Sequence, residues 1–203
     1  MICVHPNVDI SPVPCIEGDG RDPSNPYEIK KDYLSAMVVN GWSRSRLMVA
    51  SVYMDGNCIR KNEESLIDIG VKNRATLFML GAIAAQLALP FVIMGDWNME
   101  PKYLAQTGWL EQNRGYVAAP DQPTCWCGDN EHGSVIDYSV MSNSLSKGLE
   151  DIQFERDDPY QPHRYVKFNI DGRNINTSEF GLEQPAGFPI ERRIGPPIDN
   201  THI

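Results

Sequence analysis

The chain has 203 residues, 41% hydrophobic and 22% charged, the balance of a soluble globular protein with room for one domain and a real core. A net charge of −9 argues against a broad electrostatic grip on nucleic acid, yet carboxylates gathered around a divalent cation would reverse that logic locally. The longest apolar stretch, Ala82 to Met94, is broken by Gln86 and Pro90 and is too short to span a bilayer. No basic-then-apolar leader opens the chain, so the expectation is an intracellular protein, nuclear or cytoplasmic, without a membrane segment.

Residues 1 to 30 are rich in Pro, Gly and Asp, which break any long element; Met1 to Val4 could be the end of a strand entering this loop. Tyr33 to Val39 and Leu47 to Met54 lean towards strand, and Asn40-Gly41 between them is a hairpin cue. From Glu63 to Leu89, the residues Leu66, Ile69, Asn73, Leu77, Leu80, Ala84 and Leu87 recur at steps of three and four. This predicts a long helix, buried most deeply in its apolar C-terminal half and ended by Pro90. Phe91 to Met94 then reads as a buried strand. Pro101 is placed to start a helix, with Tyr103 to Gln112 continuing it. Short strands are expected at Tyr116 to Ala119 and Thr124 to Trp126. Longer ones are expected at Ser134 to Met141, Leu149 to Glu155 and Tyr165 to Ile170. The order strand, helix, strand predicts a layered α/β fold. From Asp171 to the end, Pro, Gly and Asn prevail without period, as in a disordered tail.

Three polar motifs punctuate these strands. Gly95-Asp96-Trp97-Asn98 ends the first, where Asp96 and Asn98 would share a face by strand alternation. The same residues suit an Asx-type turn, and the segment alone does not choose between turn and site. Asp137 lies on the Ser134 strand, where it could equally be a buried structural carboxylate satisfied by backbone. His163-Arg164 precedes the Tyr165 strand. An imidazole with a carboxylate to fix its tautomer, and a second carboxylate or amide to position water, are the parts of phosphoester hydrolysis. The five cysteines (Cys3, Cys15, Cys58, Cys125, Cys127) are odd in number and scattered, like reduced thiols. Cys125-x-Cys127 with His132 invites a zinc reading, but its spacing fits no common structural site and a fourth ligand is missing.

With Gly95-Asp96-x-Asn98, Ser134-x-x-Asp137-Tyr138 and His163 in this order, and Val52-Tyr53 before the long helix, the chain resembles the endonuclease/exonuclease/phosphatase superfamily. That superfamily includes apurinic endonucleases, sphingomyelinases and the endonuclease domains of LINE-type retrotransposons. The retroelement-type branch is the nearest fit. The resemblance covers residues 1 to 170 and implies an α/β sandwich of four layers. It also implies Mg²⁺-dependent hydrolysis (Mn²⁺ as a substitute) of DNA or another phosphoester. Asp96 would orient or deprotonate the attacking water, and Asn98 would hold that water or the scissile phosphate. Asp137 would pair with His163, which would contact the phosphate. Trp97 and Trp126 would be placed to contact substrate, with core packing the alternative for both.

The chain also departs from the superfamily pattern. Where an Asp normally precedes the histidine stands Pro162, and Gln161 replaces the usual Ser. The early Asn and the metal-binding Glu have no counterpart, since Glu17 and Glu28 lie in other contexts. The resemblance therefore implies an incomplete sandwich lacking its N-terminal part, with weak or absent activity. The parent element would supply the missing portion or a fused reverse transcriptase. A degenerate binding domain, or a phosphatase or lipid phosphodiesterase of the same fold, are the alternatives.

Overall fold

The computed structural model describes residues 8–13, 34–42, 45–56, 60–61, 67–126, 132–154 and 162–174. Met1 to Val4, Cys3, Cys15, Cys58, Cys127, Glu17, Glu28, Gln161 and the segment from residue 175 onward lie outside them.

β1 (Ile10–Pro12), β2 (Leu34–Trp42) and β3 (Ser45–Tyr53) run antiparallel in succession. The β2–β3 hairpin was expected, but Asn40 and Gly41 fall inside β2, and the strands pair out to Trp42 and Ser45. After β3, the two-residue strands β4 (Arg60–Lys61) and β5 (Ile67–Asp68) pair with each other. The helix α1 spans Gly70–Leu87. It starts seven residues later than the periodicity suggested. Ile67 and Asp68 are spent on β5, and the Asp68 carboxylate accepts the Gly70 N–H at 3.0 Å, satisfying one of the first-turn donors.

One face of α1 is buried, carrying Asn73, Thr76, Leu77, Leu80, Ile83 and Ala84 at helical spacing. The C-terminal half, expected to be the more deeply buried, keeps an open outer face: Ala82, Ala85 and Gln86 are exposed, and Phe78 is 78% exposed. Small and apolar residues there reflect helix propensity, which asks for no partner on the outer face. The buried amide of Asn73 is not idle. It accepts from the Asp55 N–H at 2.8 Å and donates to the Asp55 carbonyl at 3.0 Å, pinning the chain that leaves β3.

Ala88 ends α1 in the left-handed region, and β6 (Phe91–Asp96) begins after Pro90. Parallel pairing of β6 with β3 makes α1 the crossover connection that parallel strands require. The helical segment after Pro101 is split into α2 (Pro101–Gln106) and α3 (Trp109–Gln112) by Gly108. β7 (Gly115–Ala118) and β8 (Asp137–Ser142) complete a six-stranded sheet in the order β1-β2-β3-β6-β8-β7. β9 (Leu149–Phe154) and β10 (Val166–Ile170) form a separate antiparallel pair.

Strand alternation gives the large sheet two apolar faces. Met48, Ala50, Val52, Phe91, Ile93, Tyr138 and Val140 face the helices. Leu47, Val92, Ala118 and Met141 face the other way, packed with Leu149 and Ile152 of β9 and Phe168 and Ile170 of β10. Among the described residues this makes three layers of the expected α/β sandwich: helices, six-stranded sheet and two-stranded sheet. None of the described helices is long and apolar enough to cross a membrane.

Candidate active site

Register places the first two polar groups. In the antiparallel β6–β8 pair, Asp96, the last residue of β6, lies directly opposite Asp137, the first of β8. Residues opposite each other in a ladder share a face, so the two carboxylates stand side by side at the sheet's end. Gly95 lets β6 lie close against β3 just before Asp96. A Cβ there would sit 1.8 Å from the Val52 carbonyl oxygen on β3.

A short ladder delivers the third group. Cys125 forms isolated bridges to Ser134 on one side and His163 on the other. His163 Nδ1 lies 2.9 Å from Oδ2 and 3.1 Å from Oδ1 of Asp137. Its Nε2 lies 4.0 Å from Asp96 Oδ2 and 3.7 Å from Cys125 Sγ. One ligand atom from each of Asp96, Asp137 and His163 falls within a 4.8 Å cluster. An ionised carboxylate only accepts, so the Asp137 contact puts a proton on Nδ1 and leaves Nε2 facing Asp96.

Burial pushes the Asp96 carboxyl up to about 6. The N–H of Asn98 opposes that rise, the charge of Asp137 adds to it, and His163 lowers it again. A carboxyl that changes charge near neutrality, beside an imidazole already oriented by another carboxylate, can exchange a proton with water.

Asn98 behaves differently from the expectation. β6 ends at Asp96, so alternation does not carry on to Asn98, whose φ is +49°. Its N–H donates to Asp96 Oδ1 at 2.9 Å, closing an Asx turn, and its side-chain amide donates to the Met54 carbonyl at 2.7 Å. Turn and site coexist here, with the turn holding the Asp96 carboxylate.

Trp97 is packed in the core, the alternative reading for this residue. It is fully buried, stacks on Tyr138 with ring centroids 5.3 Å apart, and donates from Nε1 to the Tyr138 carbonyl. Backbone turning after β6 sends its ring under the sheet end. Trp126 is half-buried and carries the Arg164 guanidinium 4.9 Å above its ring. Pro162 offers only its carbonyl, which accepts from the Trp126 N–H. For the zinc reading, Cys125 is buried beside His163 and His132 is exposed, and neither belongs to the described metal-competent cluster.

Two residues were missed by sequence reasoning. Thr124 is fully buried, and its hydroxyl oxygen accepts from the N–H groups of Ile136 and Asp137. Tyr53, which the sequence only marked as part of a strand, pairs with Asp96 across β3–β6 and is 46% exposed. Neither type carries a one-dimensional signal, because each matters through a neighbour on another strand.

No protein-family model matches the chain, and no curated protein matches it. Solved structures do. The endonuclease domain of TRAS1, a telomere-specific non-LTR retrotransposon, superposes with a TM-score of 0.56 at 13% identity, over 82% of this chain and 69% of that one. The 3'-5' exonuclease NExo from Neisseria meningitidis gives 0.52 at 14% identity, over 81% and 71%. The 3' phosphatase NExo from Neisseria bound to product DNA hairpin gives 0.51 at 14%, over 83% and 72%. The chain therefore has a fold of the endonuclease/exonuclease/phosphatase type.

Proposed function

We propose that this chain is a divalent-metal-dependent phosphodiesterase acting on DNA, of retroelement-endonuclease lineage. The observation that carries the reading is the His163 imidazole held by Asp137 through Nδ1 with Asp96 on its Nε2 side. DNA as substrate is supported by the neighbours' printed identities, a retrotransposon endonuclease and a phosphatase bound to a DNA hairpin.

Asp96 would orient the attacking water. His163 would meet the phosphate oxygen through Nε2, with Asp137 steadying the charge that the imidazole acquires. Asn98 would fix the Asp96 carboxylate through its backbone N–H, and the amide groups not given to Met54 would hold the water or the scissile phosphate. Trp126 and Arg164 border His163 and would contact the strand next to the scissile phosphate.

The donor set fits a hard cation: two carboxylates close together, one raised in pKa partly by the other, gain from a positive charge between them. Asp96 and Asp137 would hold Mg²⁺ or Mn²⁺, which when bound would serve as Lewis acid to the phosphate. Pro162 supplies no ligand, and the described residues hold no glutamate in the cluster, so turnover is expected to be slow.

The test is nicking of an abasic-site plasmid with Mg²⁺ or Mn²⁺, beside Asp96→Ala. Slow nicking that the variant abolishes supports the proposal. A wild-type chain that binds the plasmid without nicking it would overturn catalysis in favour of a degenerate binding domain. Cleavage of a lipid or small phosphoester without DNA nicking would move it to another substrate branch. A reverse-transcriptase frame in the same genomic element would test the lineage separately.

A further inference from the structure

We infer that Thr124 is the positioning residue that holds Asp137 and His163 together. Its hydroxyl has one proton to give and two lone pairs to receive, and all three are used. It donates towards the Ser134 carbonyl at 3.4 Å and accepts from the N–H groups of Ile136 at 3.0 Å and Asp137 at 2.9 Å. The same residue's backbone faces the other strand: its carbonyl accepts the Arg164 N–H at 2.8 Å, next to His163.

Thr124 thus grips the first residue of β8 with its side chain and the histidine segment with its main chain. The Asp137–His163 contact spans 26 residues of sequence, and no helix or strand contains both partners. What ties the two segments together is this fully buried residue, its side chain on the start of β8 and its carbonyl on the residue after His163. The next residue adds to the grip, because Cys125 bridges Ser134 and His163 in the same ladder. A valine in place of Thr124 would keep the shape and leave the two N–H groups unpaired, so the start of β8 would shift to find other partners. A shift of a fraction of an ångström opens a 2.9 Å hydrogen bond.

The experiment reads the pair directly. In ¹H NMR spectra of the whole chain, the His163 Nδ1–H held by a carboxylate should give a downfield resonance, assigned by its loss in His163→Gln. Thr124→Val should lose or markedly broaden that resonance while circular dichroism shows a folded protein, and Thr124→Ser, which keeps the hydroxyl, should retain it. If Thr124→Val does not fold, Thr124→Ala takes its place with the same expectation. A folded valine or alanine variant that keeps the resonance overturns the inference, as does a folded serine variant that loses it. Kinetics add a second reading that rests on the proposed phosphodiesterase: kcat falling on the order of 100-fold in Thr124→Val with KM little changed. A wild type that shows the resonance but no nicking refutes the proposed activity and leaves the role of Thr124 standing.

Discussion

The end of β6 holds two neighbouring side chains with opposite fates. Asp96 turns to the sheet's rim, where it joins Asp137 and His163 in a partly exposed polar cluster. Trp97 turns under the sheet and stacks, fully buried, on Tyr138. Tyr138 in turn follows Asp137 in β8, so the two strands place an acid at the rim and an aromatic beneath it in the same order. The rim cluster is electrostatically uneasy, with a carboxyl raised by burial and by a like charge. The aromatic pair below it is apolar and close-packed. The difference teaches that the site's geometry depends on a packed floor, while the chemistry lies in groups that cost the fold stability.

Substitutions on either level should separate these contributions. The largest effect is expected at the rim: His163→Ala should reduce nicking by about 10²–10⁴-fold, with an unfolding midpoint close to wild type. Trp97→Ala should do the reverse in kind, destabilising the chain by about 3–5 kcal/mol in denaturant titrations through lost packing and cavity formation. If His163→Ala unfolds the chain as severely as Trp97→Ala does, the division into rim and floor fails.

A smaller effect tests the uneasy carboxyl. Because its folded pKa, about 6, lies above the ordinary carboxylate range, the folded state holds that proton more tightly than the unfolded chain. Stability from this group is full at low pH and is lost as pH rises through about 6. In metal-free buffer, Asp96→Asn should therefore match wild type near pH 4 and exceed it by about 1–2 kcal/mol at pH 7.5, allowing for solvent screening. A difference that stayed constant with pH would show that Asp96 is not strained. Mg²⁺ should narrow the gap by stabilising wild type alone.

The smallest change concerns the floor. Among the described residues, the buried Tyr138 hydroxyl has no hydrogen-bond partner. Tyr138→Phe should leave stability unchanged or raise it by up to about 1 kcal/mol, since it removes an unsatisfied group and keeps the ring on Trp97. A clear loss of stability would mean that the hydroxyl has a partner in solution.

Much of this organisation was readable from the chain. Strand-forming runs, the helix before Pro90 and the polar motifs at strand ends follow local rules of periodicity and turn chemistry, and the structure has most of these elements; Thr124 to Trp126 is an isolated bridge at Cys125 rather than a strand, and α1 begins seven residues late. The start of α1 was misplaced because Leu66 and Ile69 fit a helical period, and only the pairing of Ile67 and Asp68 with Arg60 and Lys61 takes that stretch into a strand. Strand alternation does not place Asn98, because β6 ends at Asp96 and an Asx turn takes over there. Trp97 could not be assigned to core or surface, since an aromatic after a strand suits either.

What the sequence determined by itself was the inventory: which segments are strands or helices, and which polar side chains stand at their ends. What only the tertiary structure decided was adjacency. Asp96 meets Asp137 through strand register, His163 reaches both through the Cys125 ladder, and Thr124, which has no sequence signature, bonds the start of β8 with its side chain and Arg164 with its carbonyl. Local periodicity follows from backbone geometry over a few residues, whereas these meetings depend on hydrogen bonds between residues tens of positions apart. No local pattern encodes them.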